Sequence, residues 1–292
     1  MDYVNCDLCP RRCGVDRTAG QRGFCGCPDT ALVAKAMLHK WEEPALAGAG
    51  GSGAVFFGGC TLRCRYCQNA AISGGAVGKA TDSAGLRQLF EDLIARGAEN
   101  IDLVTPTHFL PTILPALRPK LPVPVVYNCG GYEKVDTLRR LEGLVDVYLP
   151  DLKYADGALA KALSGAEDYF PTACEAIREM FRQVGRPVYD ENGLMKQGVI
   201  LRHLVLPGYL NNTRQVLDWI AETFAPGDVV VSLMSQYTPP TGMTGRLARR
   251  VTAAEYRAAV TYMRNCGIED GFVQERTSAE EAYTPAFDGT GV

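Results

Sequence analysis

Six short apolar, β-branched runs follow one another after residue 54, and stretches of helical periodicity separate them. They are AVFFGGC (54–60), IDLVTP (101–106), PVVYNCG (124–130), DVYLPDLK (146–153), GVILRHLVLPG (198–208) and DVVVSLMSQY (228–237). Near-continuous apolarity indicates strands buried on both faces. The stretch at 81–97 carries Leu86, Leu89, Phe90, Leu93 and Ile94 on one helical face, with Thr81, Asp82 or Ser83 as N-cap and Gly97 near its end. Further helices are predicted at 134–142, 173–184, 211–224 and 253–267. Strands alternating with helices imply right-handed βαβ units and a parallel sheet, and six such strands predict an α/β barrel or partial barrel. A chain of 292 residues accommodates a barrel with an extension. Residues 1–53 form a Cys-rich extension ending in a flexible join, AGAGGSG. Residues 54–240 form the barrel, and 241–292 a C-terminal helix and tail completing it.

Composition narrows the function classes. Lys plus Arg is 30 against 33 for Asp plus Glu, a net charge of −3, so there is no electrostatic footprint for nucleic acid. MDYVNCDLCP lacks a basic segment followed by an apolar core, and no run of about 18 apolar residues occurs. The expectation is a chain with no membrane partner, in a reducing cytoplasm. Eleven cysteines lie well below the roughly 8–10% of a disulfide scaffold, and an odd count favours reduced, metal-binding thiols. The three histidines, His39, His108 and His203, are too dispersed for a multi-histidine site.

Polar residues at strand C-termini should converge, because sites in such architectures form at the carboxyl end of the sheet. Strand by strand they are Cys60; Thr105, Thr107 and His108; Asn128 and Cys129; Asp151 and Lys153; Arg202 and His203; Gln236 and Tyr237. Cys60, Cys64 and Cys67 form C-x3-C-x2-C directly after the first strand. Three thiolates in eight residues suit an iron–sulfur cubane with one iron left open, since no fourth Cys follows at short spacing. A three-Cys zinc site is the other reading, and needs a water and a nearby acid or base. Gly48-x-Gly50-x-x-Gly53 fits a dinucleotide fingerprint but precedes its strand, so it is read as a loop.

The C-x3-C-x2-C run, with Tyr66 before its last Cys, resembles the signature of the radical S-adenosylmethionine superfamily. CRYCQN, VTPTHF, VYNCGGYE, VYLPDLKY, RHLVLPG and SQYTP extend the resemblance over nearly the whole chain. Together they are similar to the iron–sulfur proteins grouped as pyruvate formate-lyase activating enzyme-like. The resemblance implies a partial (β/α)6 barrel and a [4Fe-4S] cluster on Cys60, Cys64 and Cys67, whose open iron takes S-adenosylmethionine. It also implies reductive cleavage to a 5′-deoxyadenosyl radical that abstracts hydrogen, with a flavodoxin or ferredoxin as electron donor. A glycyl-radical enzyme or another peptide is the implied partner, and radical modification of a small molecule is the alternative.

Roles follow position by position from the resemblance. Tyr66, Asp151, Lys153 and Arg202 line the S-adenosylmethionine site; an acid beside an ammonium suits a zwitterion, and a guanidinium suits a carboxylate. Asn128 falls where activases carry Asp-Thr. Thr105-Pro106-Thr107-His108 stands where the superfamily has Gly-Gly-Glu, leaving the oxygens of Thr105 and Thr107 to accept amine protons. His108, His203, Gln236 and Tyr237 are candidates for the substrate side.

A second constellation, Cys6, Cys9, Cys13 and Cys25, lies in a stretch with too few apolar residues to fold alone. A metal would supply the missing stability, as zinc or as a second iron–sulfur cluster. Free thiols or a Cys25-x-Cys27 redox pair are the other reading. Leu38-His39-Lys40-Trp41-Glu42-Glu43-Pro44 has no expected role beyond packing near the barrel mouth. The rival from another class is a non-catalytic electron-transfer or zinc-binding protein, which predicts closed metal sites.

Overall fold

The computed structural model describes residues 2–269, 271–273, 287 and 289–292. Its strands are β1 (Ala31–His39), β2 (Ser52–Phe57), β3 (Lys79–Thr81), β4 (Ile101–Val104), β5 (Val125–Cys129), β6 (Val147–Pro150), β7 (Val188–Tyr189), β8 (Met195–Leu204), β9 (Val230–Met234) and β10 (Gly271–Val273). The sheet runs β10-β9-β8-β6-β5-β4-β2-β1-β3, with β7 paired to β8. The six predicted strands are β2, β4, β5, β6, β8 and β9, neighbours in sequence order and parallel throughout. No described strand joins β10 to β3, so this is a partial barrel.

Register explains the core. Ala54, Asp102, Val126 and Val147 stand side by side on four adjacent strands. Side chains alternate across a strand, so Val126, Val147, Leu149, Ile200 and Val230 form an inner cluster. Leu103, Tyr127, Tyr148, Leu201 and Val231 pack in a larger cluster with the buried residues of the helices. Ala45 and Leu46, on the short helix Pro44–Ala47, belong to the inner cluster and plug the barrel.

The predicted helices form at Ser83–Ala95, Val135–Leu138, Tyr169–Val184, Leu210–Thr223 and Ala253–Asn265. Asp82 caps the first by accepting from the Gly85 N–H at 2.8 Å, and Thr252 with Glu255 forms a capping box on the last. None is long and apolar enough to cross a membrane.

Two findings differ from expectation. Ala31–His39 is a nearly buried strand, antiparallel to β2, so the end of the Cys-rich extension enters the sheet. AGAGGSG is not a flexible join. The Gly50 N–H donates to Glu99 Oε1 at 3.0 Å, Gly51 N–H to Ala47 O at 2.7 Å and Gly53 N–H to Asn100 O at 2.9 Å. A Cβ on Gly50 would lie 2.1 Å from Gly97 O, so these glycines serve close approach. Of the expected C-terminal tail, residues 270, 274–286 and 288 lie outside the described residues.

Candidate active site

The carboxyl ends of the parallel strands open into a cavity of about 260 Å³. Cys60, Cys64, Cys67 and Tyr66 line it on one side; Thr105, Asn128, Asp151, Lys153, Arg202 and Gln236 line the rest. Sequence-distant residues thus meet where the parallel topology places them.

The cysteine loop is fixed by its backbone. Gly58 N–H donates to Leu32 O at 2.9 Å and Gly59 N–H to Ile72 O at 2.7 Å. A Cβ on Gly58 would fall 1.9 Å from Val77 O, so the chain can enter the loop only without one. Cys60 Sγ accepts the Leu62 N–H at 3.3 Å, and Cys64 Sγ accepts the Ser164 hydroxyl at 3.0 Å. Burial pushes the Cys60 thiol up to about 12, with Cys64 adding to the shift, and raises Cys67 likewise. Buried thiols that resist ionisation fit a cationic centre, which supplies the charge their thiolates lack. Among the described residues no three Cys, His, Asp or Glu side chains gather tightly enough to hold a single ion. A cubane has no such need, because each thiolate binds a different iron. The loop therefore fits a four-iron cluster better than one zinc ion.

Opposite the thiols lies a charged network. Asp151 accepts from Arg202 Nε at 2.9 Å through one oxygen and pairs with Lys153 through the other. Burial works against the Asp151 carboxylate, but Arg202 and Lys153 outweigh it and hold it below its usual range. Arg202 also donates to Asn128 Oδ1 at 2.6 Å. Thr105, at the end of β4, adopts φ +60°, strained for a β-branched residue and costing on the order of 1–3 kcal/mol.

The other candidates lie elsewhere. Thr107 is buried away from the cavity, donating to Glu133 Oε1 at 2.9 Å and accepting from the Tyr127 hydroxyl at 3.0 Å. His108 is buried with Nε2 2.7 Å from Gly58 O. His203 contacts Leu152 O at 2.6 Å and Thr213 Oγ1 at 3.0 Å, and burial lowers its pKa to about 4. Tyr237 donates to Leu247 O at 2.7 Å, its ring 6.0 Å from that of Tyr66. Sequence reasoning missed Glu42, with His39 and Trp41 beside it in the cavity wall. It also missed Asp102, fully buried 3.3 Å from Asn128 Nδ2, where burial and the Glu42 charge push its carboxyl well above the usual range. Acidic residues spaced as HKWEEP gave no signal for this; only an acid inside a predicted strand, Asp102, was a cue.

The N-terminal cysteines sit on the outside of this site. Cys6 exchanges backbone hydrogen bonds with Val15 and Gly14 at 2.8 and 3.0 Å, and Cys13 Sγ accepts the Phe24 N–H at 3.3 Å. A hydrogen bond from Cys27 draws Cys25 down to about 5 against the effect of burial, with the His108 charge helping. Arg17 is almost wholly buried, donating to Pro28 O and His108 O.

A family model described as a 4Fe-4S single cluster domain matches residues 46–109, which contain all three loop cysteines. The structure is similar to Streptococcus suis SuiB, with a TM-score of 0.51 and 14% identity over 77% of this chain; the match spans 48% of SuiB, about half its length. It is also similar to a spore photoproduct lyase variant, with a TM-score of 0.51 and 15% identity over 82% of this chain and 79% of that one. The fold is thus similar to that of the radical S-adenosylmethionine enzymes, and the four-iron match falls on the loop at the mouth of the barrel. An uncharacterised protein of Methanocaldococcus jannaschii, MJ0674, is 30% identical over 247 residues, covering 81% of this chain and 67% of that protein. The chain belongs to the same family as MJ0674.

Proposed function

We propose that this chain is a radical S-adenosylmethionine enzyme acting by hydrogen abstraction. The observation that carries this reading is the meeting of three loop thiols and the Asp151–Lys153–Arg202–Asn128 network in one cavity. Cys60, Cys64 and Cys67 would hold a [4Fe-4S] cluster, which with S-adenosylmethionine supplies one-electron cleavage of the sulfonium and a carbon radical. The chain's own part is placement. Lys153 and Arg202 present positive charge to a carboxylate, and Asp151 keeps both ammonium and guanidinium in place. Tyr66, buried between Tyr154 and Tyr237, gives the loop an apolar backing that keeps water from the thiols.

The substrate enters this cavity, whose lining also carries the side-chain amides of Gln68, Asn69 and Gln236 and the largely exposed Trp41. Amide donors and acceptors beside an aromatic face suit a peptide backbone, which supports the glycyl-radical partner over a small metabolite. The cysteines at 6–25, which do not gather tightly enough for a single ion, hold a second iron–sulfur cluster in this reading, and a flavodoxin or ferredoxin supplies electrons.

The test is 5′-deoxyadenosine release by anaerobically reconstituted protein given S-adenosylmethionine and a strong reductant. Product that disappears in Cys67→Ala supports the reading. A confirmed cluster without product in wild type, even with candidate peptides added, favours the electron-transfer rival.

A further inference from the structure

The zwitterionic end of S-adenosylmethionine carries an ammonium as well as a carboxylate, and the ammonium needs an acceptor. The end of β4 offers Thr105-Pro106-Thr107-His108, with no acid. Two carboxylates line the cavity, Asp151 and Glu42. Asp151 is already neutralised by two cations: one oxygen takes Arg202 and the other takes Lys153.

Glu42 is not. Its contacts with Arg202 Nη1 and Asn128 Nδ2 are long, 3.5 and 3.4 Å, the adjacent Glu43 N–H donates to it at 3.1 Å, and the buried Asp102 carboxyl stands within hydrogen-bond reach. Its cationic contact, Arg202, is the long one, so Glu42 keeps negative charge to offer an ammonium. Its side chain is only 10% exposed, which shields it from competing water. It is also held in place. The plug helix Pro44–Ala47 anchors the chain just after it, and Glu43 is pinned by the Ser232 hydroxyl at 2.9 Å. Below Glu42 lies Asp102, whose carboxyl is pushed well above its usual range by burial and the Glu42 charge.

Resting on the radical S-adenosylmethionine reading above, we infer that Glu42 is the residue that binds the ammonium group of that ligand. The acid comes from the segment joining the antiparallel strand β1 to the barrel plug, not from a parallel strand end. The leader of the barrel thereby becomes part of its active site.

The test is equilibrium binding of S-adenosylmethionine, and of its analogue lacking the amino group, to anaerobic cluster-loaded protein. Wild type should favour the natural ligand. Glu42→Gln should weaken that ligand about ten- to hundredfold, the scale of a charge-assisted hydrogen bond, while leaving the analogue unchanged. Iron content and thermal midpoint are measured on the same samples. Should Glu42→Gln fail to hold iron, Glu42→Asp, which keeps the charge at shorter reach, is read for the same selective loss. Equal binding of the natural ligand by wild type and variant overturns the inference, and so does an equal loss for both compounds. Wild type that holds its iron yet binds neither compound overturns the radical S-adenosylmethionine reading itself, and this inference with it.

Discussion

The loop at 60–67 and the segment at 6–27 are both rich in cysteine, yet the structure treats them differently. The loop turns its three thiols toward a cavity shared with Asp151, Lys153 and Arg202. The N-terminal segment lines no part of that cavity; Cys25 and Cys27 are buried in the core, and the segment is clamped by arginines. Arg11 donates to Thr61 O at 2.9 Å and Ser164 O at 2.7 Å, with Phe24 stacked 3.8 Å from its guanidinium. Arg17 does the same against Pro28 and His108, with the Tyr3 ring 4.4 Å away. Thiols gathered on a cavity can serve chemistry, whereas thiols embedded in a docking surface serve the fold. The two meet at Thr61 and Ser164, so the second region braces the first.

The largest expected effect separates them outright. Cys67→Ala should abolish 5′-deoxyadenosine formation, whereas Cys9→Ala should leave a protein that still forms it but unfolds at lower temperature. Metal analysis sharpens this: the triple alanine variant at Cys60, Cys64 and Cys67 should lose the loop's iron and keep whatever metal the N-terminal set holds. If Cys9→Ala abolishes the chemistry with the loop's iron intact, the division of labour is wrong.

Acid sensitivity should belong to the barrel. His203 is buried neutral with its folded pKa near 4, against about 6.5 when unfolded. Between those values the unfolded chain binds the additional proton, so stability present above about pH 6.5 is lost as pH falls toward 4, by on the order of 3 kcal/mol. Unfolding midpoints of wild type and His203→Gln should therefore converge as pH drops from 6.5 to 4. A wild-type curve that is flat across that window would break the assignment.

Next comes Arg17→Met, which removes the donor from the buried His108 carbonyl and the half-buried Pro28 carbonyl while keeping most of the side chain's volume. An unpaired buried acceptor costs about 1–3 kcal/mol, so chemical denaturation should show a loss in that range. S-adenosylmethionine binding by the folded variant should match wild type. A large change in binding with little change in stability would show that the clamp acts on the site more than on the fold.

Much of this was legible in the chain. The six parallel strands announced themselves as apolar runs, and Cys60, Cys64 and Cys67 met because eight residues cannot separate them. Asn128, Asp151, Lys153 and Arg202 followed from their positions at adjacent strand ends. What failed was parity. Consecutive strand residues face opposite sides, so Arg202 in the cavity leaves His203 against Leu152 and Thr213; Tyr237 lies past the end of β9 and turns to Leu247. Glu42 was invisible for another reason, and Asp102 showed only as an acid inside an apolar strand. Acids are rarely buried unless paired, and their partners, Asn128 and Arg202, lie 26 to 160 residues away in sequence. No local pattern signals a pairing over that distance.

The smallest effect tests whether the N-terminal segment is held by its arginines or by surface charge. Lys134 pairs with Asp7, whose side chain is 58% exposed, and also donates to the Asp7 carbonyl at 3.0 Å. Solvent screens such a pair, and exposed ion pairs contribute about 0–1 kcal/mol. Asp7→Asn keeps the shape and leaves the backbone carbonyl in place to accept from Lys134. It should shift stability by less than about 0.5 kcal/mol, and the shift should vanish in high salt. Denaturation at low and high ionic strength measures both. A loss as large as that of Arg17→Met would mean that charge at the rim, more than buried arginine donors, keeps the segment on the barrel.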